Sequence, residues 1–300
     1  MKTEAVHRLK KILGKNLISA FYRSLWFMSD EKYLRLIYRL RMGKKLDLVN
    51  PRTFNEKLQW LKLNNHNPVY TQMADKLGMR DFVGQRIGEG HTAKVLGVWE
   101  RFSEIDFNSL PNRFVLKTTH DSGSYIICRK KDEFDIENAR RIIERSLRRN
   151  YYRTTREWQY KDIIPRVIAE EYLDDGTGCL TDHKFFCFNG KPLFMYIEQE
   201  TAHDPGQIMV DMDYNVEPFL MEDRRLSEVP KRPELFDVMR EYASKLSEGV
   251  PFLRVDMYSV GGKVYVGELT FFHYGGFIPF NPAEWDLRLG EKLDIENIRS

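Results

Sequence analysis

The residues of this 300-residue sequence that are best suited to chemistry lie in one stretch, 252–276. Apolar and polar residues alternate on both sides of a Gly-Gly pair at 261–262, which predicts a β-hairpin. Asp256 and Glu268 would then lie on adjacent strands, with Arg254 two residues before the first acid. Neighbouring carboxylates favour a bound cation, and Mg²⁺ accepts carboxylate oxygens while keeping positions for phosphate. The stretch therefore predicts a metal site for a polyphosphate, with a surface salt bridge on an ordinary hairpin as the alternative.

Two lysines earlier in the chain are candidates for binding an anion. Asp75 is predicted to cap a helix that runs to Val83, which places Lys76 in the first turn, where a lysine opposes the helix dipole unless it binds an anion. Lys117 ends a predicted strand, and the backbone N–H groups of the following Ser/Gly loop could turn toward phosphate. A solvated lysine and an ordinary hairpin turn remain the alternatives. The P-loop pattern is absent and no strand leads into GxGxxG, so neither a P-loop nor a Rossmann site is supported.

Composition limits the class of protein. Hydrophobic residues at 42% and aromatic residues at 13% are sufficient for a packed core. No apolar run approaches the ~18–20 residues of a membrane span, and the first 15 residues lack the apolar region of a signal peptide. The three cysteines show no metal-ligand spacing, which predicts free thiols in a reducing cytoplasm.

The charge is unevenly distributed along the chain. Residues 1–62 hold fifteen Lys and Arg against five Asp and Glu. Apolar residues at helical spacing across 6–28 predict a basic amphipathic helix, which either lies on anionic lipid or packs on its own domain. A basic leader on an acidic body suggests an anionic partner, namely a membrane surface, a polyanionic glycan or a nucleic acid. We expect one of the first two, and no nucleic acid.

Helices and strands alternate along the remaining sequence. Thr53 and Glu56 have the spacing of a capping box and open a helix, and Asn189-Gly190 is a strong hairpin signal. Further predicted strands lie at 94–99, 113–119, 125–128, 167–173 and 207–212, and further predicted helices lie at 135–150, 232–247 and 285–289.

In this order, the segments resemble the ATP-grasp superfamily. The phrases NPRTFNEKLQWLKL, ADKLGMR, FVLKTTHDSGS, HKFFCFNGKP and VGELTFFHYGGF are similar to its TupA-like amidoligase branch, which acts in teichuronopeptide biosynthesis, over about residues 48–290. The resemblance implies an α+β fold in which ATP lies between two α+β lobes. It also implies a basic helical region at 1–72, an N-terminal lobe with a flap at 73–172, and a C-terminal lobe with the metal-binding hairpin at 173–300.

The resemblance implies roles for individual residues. Arg254 and Lys184 would act on the transferred phosphoryl group. Asp256 and Glu268 would bind Mg²⁺, and Thr270, which stands where many ATP-grasp enzymes have Asn, is a candidate third ligand. The implied nucleotide-binding residues are Lys76 and Lys117 at the phosphates, Ser122, Gly123 and Ser124 in the flap, Glu170, Glu171, Tyr172 and Leu173 in the adenine hinge, and Lys184 on the following strand.

The activity implied by the resemblance is an ATP-dependent carboxylate–amine ligase that forms an amide through an acylphosphate and releases ADP and phosphate. The expected substrates are an amino acid or other amine and a carboxyl-bearing sugar or glycan of a bacterial surface polysaccharide. Alternatives are a kinase of the same fold, a glycosyltransferase that uses Asp211-Met212-Asp213, and a non-catalytic glycan- or membrane-binding protein. Phe271, Phe272, His273 and Tyr274 could face a sugar or, equally, could fill the core.

Overall fold

The structure, a computed structural model, describes residues 21–22, 24–176, 180–200, 205–221 and 225–299. Its helices, in chain order, are α1 Asp30–Met42, α2 Phe54–Asn64, α3 Val69–Ala74, α4 Gly78–Ile87, α5 Ile136–Leu147, α6 Tyr152–Thr155, α7 Phe236–Ser247, α8 Trp285–Lys292 and α9 Glu296–Arg299. Its strands are β1 Val95–Trp99, β2 Phe114–Thr118, β3 Tyr125–Cys128, β4 Val167–Glu171, β5 Asp182–Phe188, β6 Lys191–Glu200, β7 Pro205–Asp211, β8 Phe252–Val260 and β9 Lys263–Thr270.

The starts of two helices test the predicted caps. At α2 the capping box is confirmed, because Thr53 Oγ1 accepts from the Glu56 N–H and Glu56 Oε2 accepts from the Thr53 N–H. At α4 the prediction was wrong. Asp75 Oδ1 accepts from the Leu77 N–H, and the helix begins only at Gly78. Lys76 therefore lies in the loop before the helix, and no cost from the helix dipole applies to it.

The first sheet has the strand order β1-β4-β2-β3, and every pair is antiparallel. Helix α5 packs on this sheet through Ala139 and Ile143, which are buried with Phe114 and Leu116 of β2. The hairpin β2–β3 encloses the Ser/Gly loop, as predicted, with Lys117 near the end of β2.

The second sheet has the strand order β7-β6-β5-β8-β9 and is also antiparallel throughout. Both predicted two-residue turns are present. Gly261 and Gly262 have φ of 57° and 73°, and Asn189 and Gly190 have φ of 50° and 81°, the left-handed values that such hairpin turns require. With helices packed on two antiparallel sheets, the predicted α+β class is confirmed.

The buried hydrophobic residues that the structure describes form three clusters, and these do not follow the predicted domain boundaries. Phe54 and Leu58 of α2, with Met79 and Phe82 of α4, belong to the same buried cluster as the second sheet. A separate cluster lies under the first sheet, and a third holds α1 together with Phe277. Helices on both sides of residue 72 thus pack against the C-terminal sheet. The boundaries 1–72, 73–172 and 173–300 remain a prediction.

The N-terminal leader is described from residue 21, without residue 23, so most of the predicted amphipathic helix lies outside the described residues. Of the rest, Tyr22, Leu25 and Met28 pack on the α1 cluster, whereas Trp26 and Phe27 are 67% and 72% exposed. Among the described residues no helix has the length and apolarity to cross a membrane.

Candidate functional site

The centre of the candidate site is the hairpin β8–β9. Asp256 pairs with Glu268 and Arg254 pairs with Thr270, so all four side chains lie on one face of the sheet. This register depends on a bulge. Between Asp256 and Met257 the pairing shifts by one residue, and Gly267 is the extra residue on β9.

Arg254 is bound to both acids. Its Nε and Nη2 lie 2.7 and 2.6 Å from the two carboxylate oxygens of Asp256, and Nη2 is also 3.4 Å from Glu268 Oε2. Asp256 and Arg254 are almost fully buried, whereas Glu268 is half-buried. A bidentate pair of this kind fixes the guanidinium plane.

Lys184 lies directly opposite Asp256 on the neighbouring strand β5. Its Nζ is 3.6 Å from Asp256 Oδ2 and 3.3 Å from Glu198 Oε2, and it also contacts Asp182 Oδ2. Sequence reasoning identified neither Asp182 nor Glu198. The first could have been found from its i, i+2 spacing to Lys184, which places both on one strand face.

The facing wall of the site comes from the first sheet and the loop before α4. Lys117 Nζ lies 2.6 Å from Glu170 Oε2, and Arg80 Nη1 lies 3.7 Å from Glu170 Oε1. Lys76 donates through Nζ to the backbone carbonyl of Asp121, at the base of the predicted flap. Lys76 thus has a backbone carbonyl as its partner. The other basic side chains of the site each contact a carboxylate, namely Arg80, Lys117, Lys184 and Arg254.

A pocket of about 370 Å³, including the open solvent at its mouth, lies between the two sheets. On its second-sheet side the Tyr258 ring covers Gly267, where a Cβ would lie 2.6 Å from the ring. The pocket is lined by Lys76, Met79, Thr92, Ala93, Lys117, Glu170, Leu173, Tyr258, Val266 and Gly267. Four residues assigned to the nucleotide are therefore brought together, namely Lys76, Lys117, Glu170 and Leu173.

The predicted hinge residues divide between the two faces of their segment. Glu170 and Leu173 line the pocket. Glu171 turns to the sheet edge, where its Oε1 accepts from the Lys94 N–H at 2.8 Å. The Tyr172 ring lies away from the pocket, under the guanidinium of Arg113 at 4.7 Å. The side chains of Glu170 and Leu173 therefore face the pocket, whereas those of Glu171 and Tyr172 do not line it.

The predicted flap, Ser122, Gly123 and Ser124, does not line the pocket. Gly123 has φ of 82° and Ser122 is exposed. The base of the loop is held by the buried Asp121, whose oxygens accept from the hydroxyls of Thr118, Ser124 and Ser146. The loop tip is thus open to solvent, and the base of the loop is held by these hydrogen bonds.

The donor set of the hairpin fits Mg²⁺. Asp256 and Glu268 face each other across two strands, and the neighbouring Thr270 has a buried Oγ1 with no hydrogen-bond partner among the described residues. Carboxylate and hydroxyl oxygens are the hard ligands this ion prefers. Within the described ranges no cluster of three His, Cys, Asp or Glu side chains is arranged for a metal.

Sequence reasoning missed a buried pair next to this hairpin, Lys62 of α2 and Glu157. Burial raises the pKa of Glu157 to about 7 and lowers that of Lys62 to about 8, while the charge of each opposes the other's shift. Lys62 Nζ donates to the carbonyls of Thr155 and Gly275 at 2.9 and 2.8 Å. No local pattern signals this pair, because its members are far apart in sequence.

Two alternatives raised from the sequence can now be compared with the structure. Phe271, Phe272 and His273 are buried, so of the four aromatic residues only Tyr274, at 39% exposure, is available to a sugar. In the Asp-x-Asp segment, Asp211 Oδ1 accepts from the N–H groups of Asp213 and Asn215. That carboxylate closes a turn, which weakens the case for a sugar-nucleotide metal site.

Comparison with known proteins yields one family. The model described as TupA-like ATPgrasp matches residues 56–294. No curated protein matches.

Several solved structures are similar to this chain. The D-alanine–D-alanine ligase from Bacillus anthracis has 17% identity and a TM-score of 0.42, covering 80% of this chain and 72% of its own. The enzyme of the same name from Helicobacter pylori has 13% identity and a TM-score of 0.44, covering 80% and 69%. The ATP-grasp ligase PsnB, complexed with a phosphomimetic variant of its minimal precursor, Mg and ADP, has 10% identity and a TM-score of 0.41, covering 96% and 72%.

Proposed function

This chain belongs to the TupA-like ATP-grasp family, and we propose that it joins an amino acid to a carboxyl-bearing sugar or glycan during the synthesis of a bacterial surface polysaccharide. Because it belongs to this family, the chain is an ATP-dependent, amide-forming ligase. The observation that best supports ATP-dependent chemistry at this site is the distribution of charge, while the sugar and amino acid substrates are proposed from the family. Lysines 76 and 117 line the pocket, and Lys184 and Arg254 lie beside the acid pair on the sheet that forms its other side.

The proposed reaction has two steps. A carboxylate oxygen of the acid substrate attacks the γ-phosphorus of ATP, the bond to ADP breaks, and an acylphosphate forms. The amine nitrogen then attacks the acyl carbon, the bond to phosphate breaks, and the nitrogen loses a proton. Neither step needs a side-chain nucleophile, so the protein's contribution is positioning and charge neutralisation.

The cations of the site are proposed to exchange partners when ATP binds. Lys117 would leave Glu170 for a phosphate oxygen, and Lys184 would leave its surrounding carboxylates. Arg254 would stabilise the charge of the transferred phosphoryl group. Asp256, Glu268 and Thr270 would hold Mg²⁺, which supplies further positive charge at the phosphates when it is bound. Because acylphosphates hydrolyse, the loop 122–124 is proposed to exclude water by closing over the phosphates.

We also propose two features of organisation. The lobes would divide near residues 72 and 172, with the nucleotide between them. The basic leader would contact an anionic membrane surface from the cytoplasmic side. The exposed Trp26 and Phe27 support this contact, since aromatic side chains favour the membrane interface.

The experiment that tests the proposed activity is the release of ADP from ATP over a panel of amino acids, each paired with uronic acid acceptors. Amine-dependent release of ADP and phosphate is expected. Asp256→Asn should remove it, whereas Asp213→Asn, which changes an exposed acid of the Asp-x-Asp segment, should leave it unchanged. AMP as the product, or ADP release that requires a hydroxyl acceptor instead of an amine, would refute the ligase.

A further inference from the structure

Arg254 has a fourth contact that the family resemblance does not assign. Its Nη1 lies 2.8 Å from Nδ1 of His273, on the opposite side of the guanidinium from Asp256. An arginine has only N–H donors, so His273 must accept this bond through a lone pair on Nδ1. The proton of a neutral imidazole then lies on Nε2, which is 3.1 Å from Met221 Sδ.

The surroundings keep His273 in that form. The side chain is fully buried, and its ring packs edge-on against Phe186 with centroids 4.8 Å apart. Burial, followed by the charges of Arg254 and Lys184, holds the pKa of His273 well below its ordinary value. A neutral ring with one available lone pair can therefore orient the guanidinium.

His273 begins a turn of unusual backbone conformation. The next three residues, Tyr274, Gly275 and Gly276, have φ of 47°, 65° and 68°. Glycine adopts this conformation readily, but for Tyr274 it is costly and persists only where the surroundings determine it. Here the turn directly follows β9, which carries Glu268 and Thr270.

Side chains of helix α2 hold this turn by hydrogen bonds to its backbone carbonyls. Gln59 Nε2 donates to the carbonyls of Gly275 and Gly276 at 2.9 and 2.7 Å, and Lys62 Nζ donates to Gly275 at 2.8 Å. The packing is close, since a Cβ on Gly276 would lie 2.3 Å from Gln59 Nε2. Both donors are buried and lie one helical turn apart on the same face of α2.

We propose that α2 positions Arg254 for phosphoryl transfer through this turn, with His273 as the positioning residue that orients the guanidinium and with Gln59 and Lys62 holding His273 in place. The inference rests on the proposed function, because it takes Arg254 as the partner of the transferred phosphoryl group. None of the three positioning residues needs to touch a substrate.

A matched pair of substitutions tests the role of Nδ1. His273→Asn can place an amide oxygen where Nδ1 lies, whereas His273→Leu keeps similar bulk and offers no acceptor. His273→Leu is expected to lower kcat roughly 10- to 100-fold, because small displacements of reacting groups have effects of that size, while the KM for ATP changes less than about two-fold. His273→Asn should recover most of the lost kcat at a similar melting temperature.

A second measurement is independent of the identity of the substrates. ADP, Mg²⁺ and aluminium fluoride together mimic the transferring phosphoryl group, so the wild-type protein should bind ADP more tightly when fluoride and aluminium are present. His273→Leu should lose this gain and keep its affinity for ADP alone. Lys62→Met should reduce the gain from a distance, and the exposed Lys45→Met is the matched control.

The outcomes separate the two proposals. If wild-type protein shows no gain with aluminium fluoride, phosphoryl transfer at this site fails and the positioning role is refuted with it. If wild-type protein shows the gain and His273→Leu retains it, only the positioning role is refuted. Equal loss of kcat in His273→Asn and His273→Leu would also overturn it, because the ring's packing and not its acceptor would then matter.

Discussion

Substituting the two acids of the β8–β9 hairpin separately should have the same effect on turnover and different effects on stability. Asp256→Asn and Glu268→Gln each remove one anionic oxygen of the proposed metal site, so Mg²⁺-dependent ATP turnover should be lost in both. Asp256 is also the bidentate partner of the buried Arg254, whereas Glu268 is half-buried and lies 3.4 Å from the same guanidinium.

The difference in stability can be estimated from these contacts. Leaving a buried charge without its partner costs about 3–5 kcal/mol. With an unfolding entropy of about 2.1 cal/mol/K per residue, a chain of 300 residues should melt roughly 5–8 °C lower. The Glu268 contact resembles a surface pair, worth about 0.2–1 kcal/mol, which corresponds to less than about 2 °C. Asp256→Asn retains one carbonyl acceptor, so the lower end of its range is expected.

Thermal unfolding followed by circular dichroism, with ADP release measured on the same preparations, tests both parts. Asp213→Asn is the control for removing an exposed carboxylate. Wild-type turnover with Mg²⁺ in either variant would refute the metal assignment. Equal melting temperatures for the two variants would refute the reasoning that Arg254 depends on Asp256 for its buried charge.

Three further predictions follow from other contacts. Lys117→Ala should weaken binding of a non-hydrolysable ATP analogue by about 1.5–3 kcal/mol, measured by titration, and unchanged affinity would make Lys117 a partner of Glu170 alone. Burial raises the pKa of Glu157 to about 7, so its ionisation destabilises the folded state as pH rises from about 4.5 to 7. In thermal melts at pH 5, 6 and 7, the stability of wild type relative to Glu157→Gln should therefore fall as pH rises. Parallel stability profiles for the two proteins would contradict the burial argument. Deleting residues 1–20 should reduce sedimentation with anionic liposomes at low salt and leave ATP turnover on small substrates intact; salt-independent sedimentation of the full chain would exclude the electrostatic contact.

The deletion ends at residue 20 because of what the structure places after it. The guanidinium of Arg156, itself buried, donates to the backbone carbonyls of Leu25 and Met28 at 3.1 and 3.3 Å. Deleting as far as Met28 would leave that buried cation without these acceptors and would confuse loss of folding with loss of membrane binding. Tyr22, Leu25 and Met28 thus favour the packing alternative raised from the sequence, whereas Trp26 and Phe27 remain exposed.

Local signals in the sequence were sufficient to predict most elements. The capping box at Thr53, the turn at Asn189-Gly190 and the turn at 261–262 all depend on residues within a few positions of one another. The predicted start of α4 failed for an equally local reason. An aspartate can close a turn to the residue two positions on as readily as it caps a helix, and Asp75 does the former.

Contacts between distant segments could not be predicted. Lys62 and Glu157 are brought together by burial, and His273 reaches Arg254 from beyond the end of β9. Neither contact has a periodic signal, because each depends on how the turn 273–276 packs against α2. The sequence pointed to residues with clear local motifs, such as Lys117 and Asp256, and gave no signal for contacts such as that of His273 with Arg254.

The positions of Asp256 and Glu268 depend on a β-bulge, which the alternation of apolar and polar residues does not predict. From the two-residue turn at 261–262, strict pairing would place Asp256 opposite Gly267 and would turn Glu268 to the other face of the sheet. The bulge at Gly267 restores the pairing of Asp256 with Glu268. A second bulge, between Phe186 and Cys187, likewise shifts β6 so that Glu198 lies opposite Asp182, beside Lys184. Each hairpin therefore gains one residue between its turn and its charged pair, and in both cases that residue decides whether the second acid faces the cations or the core.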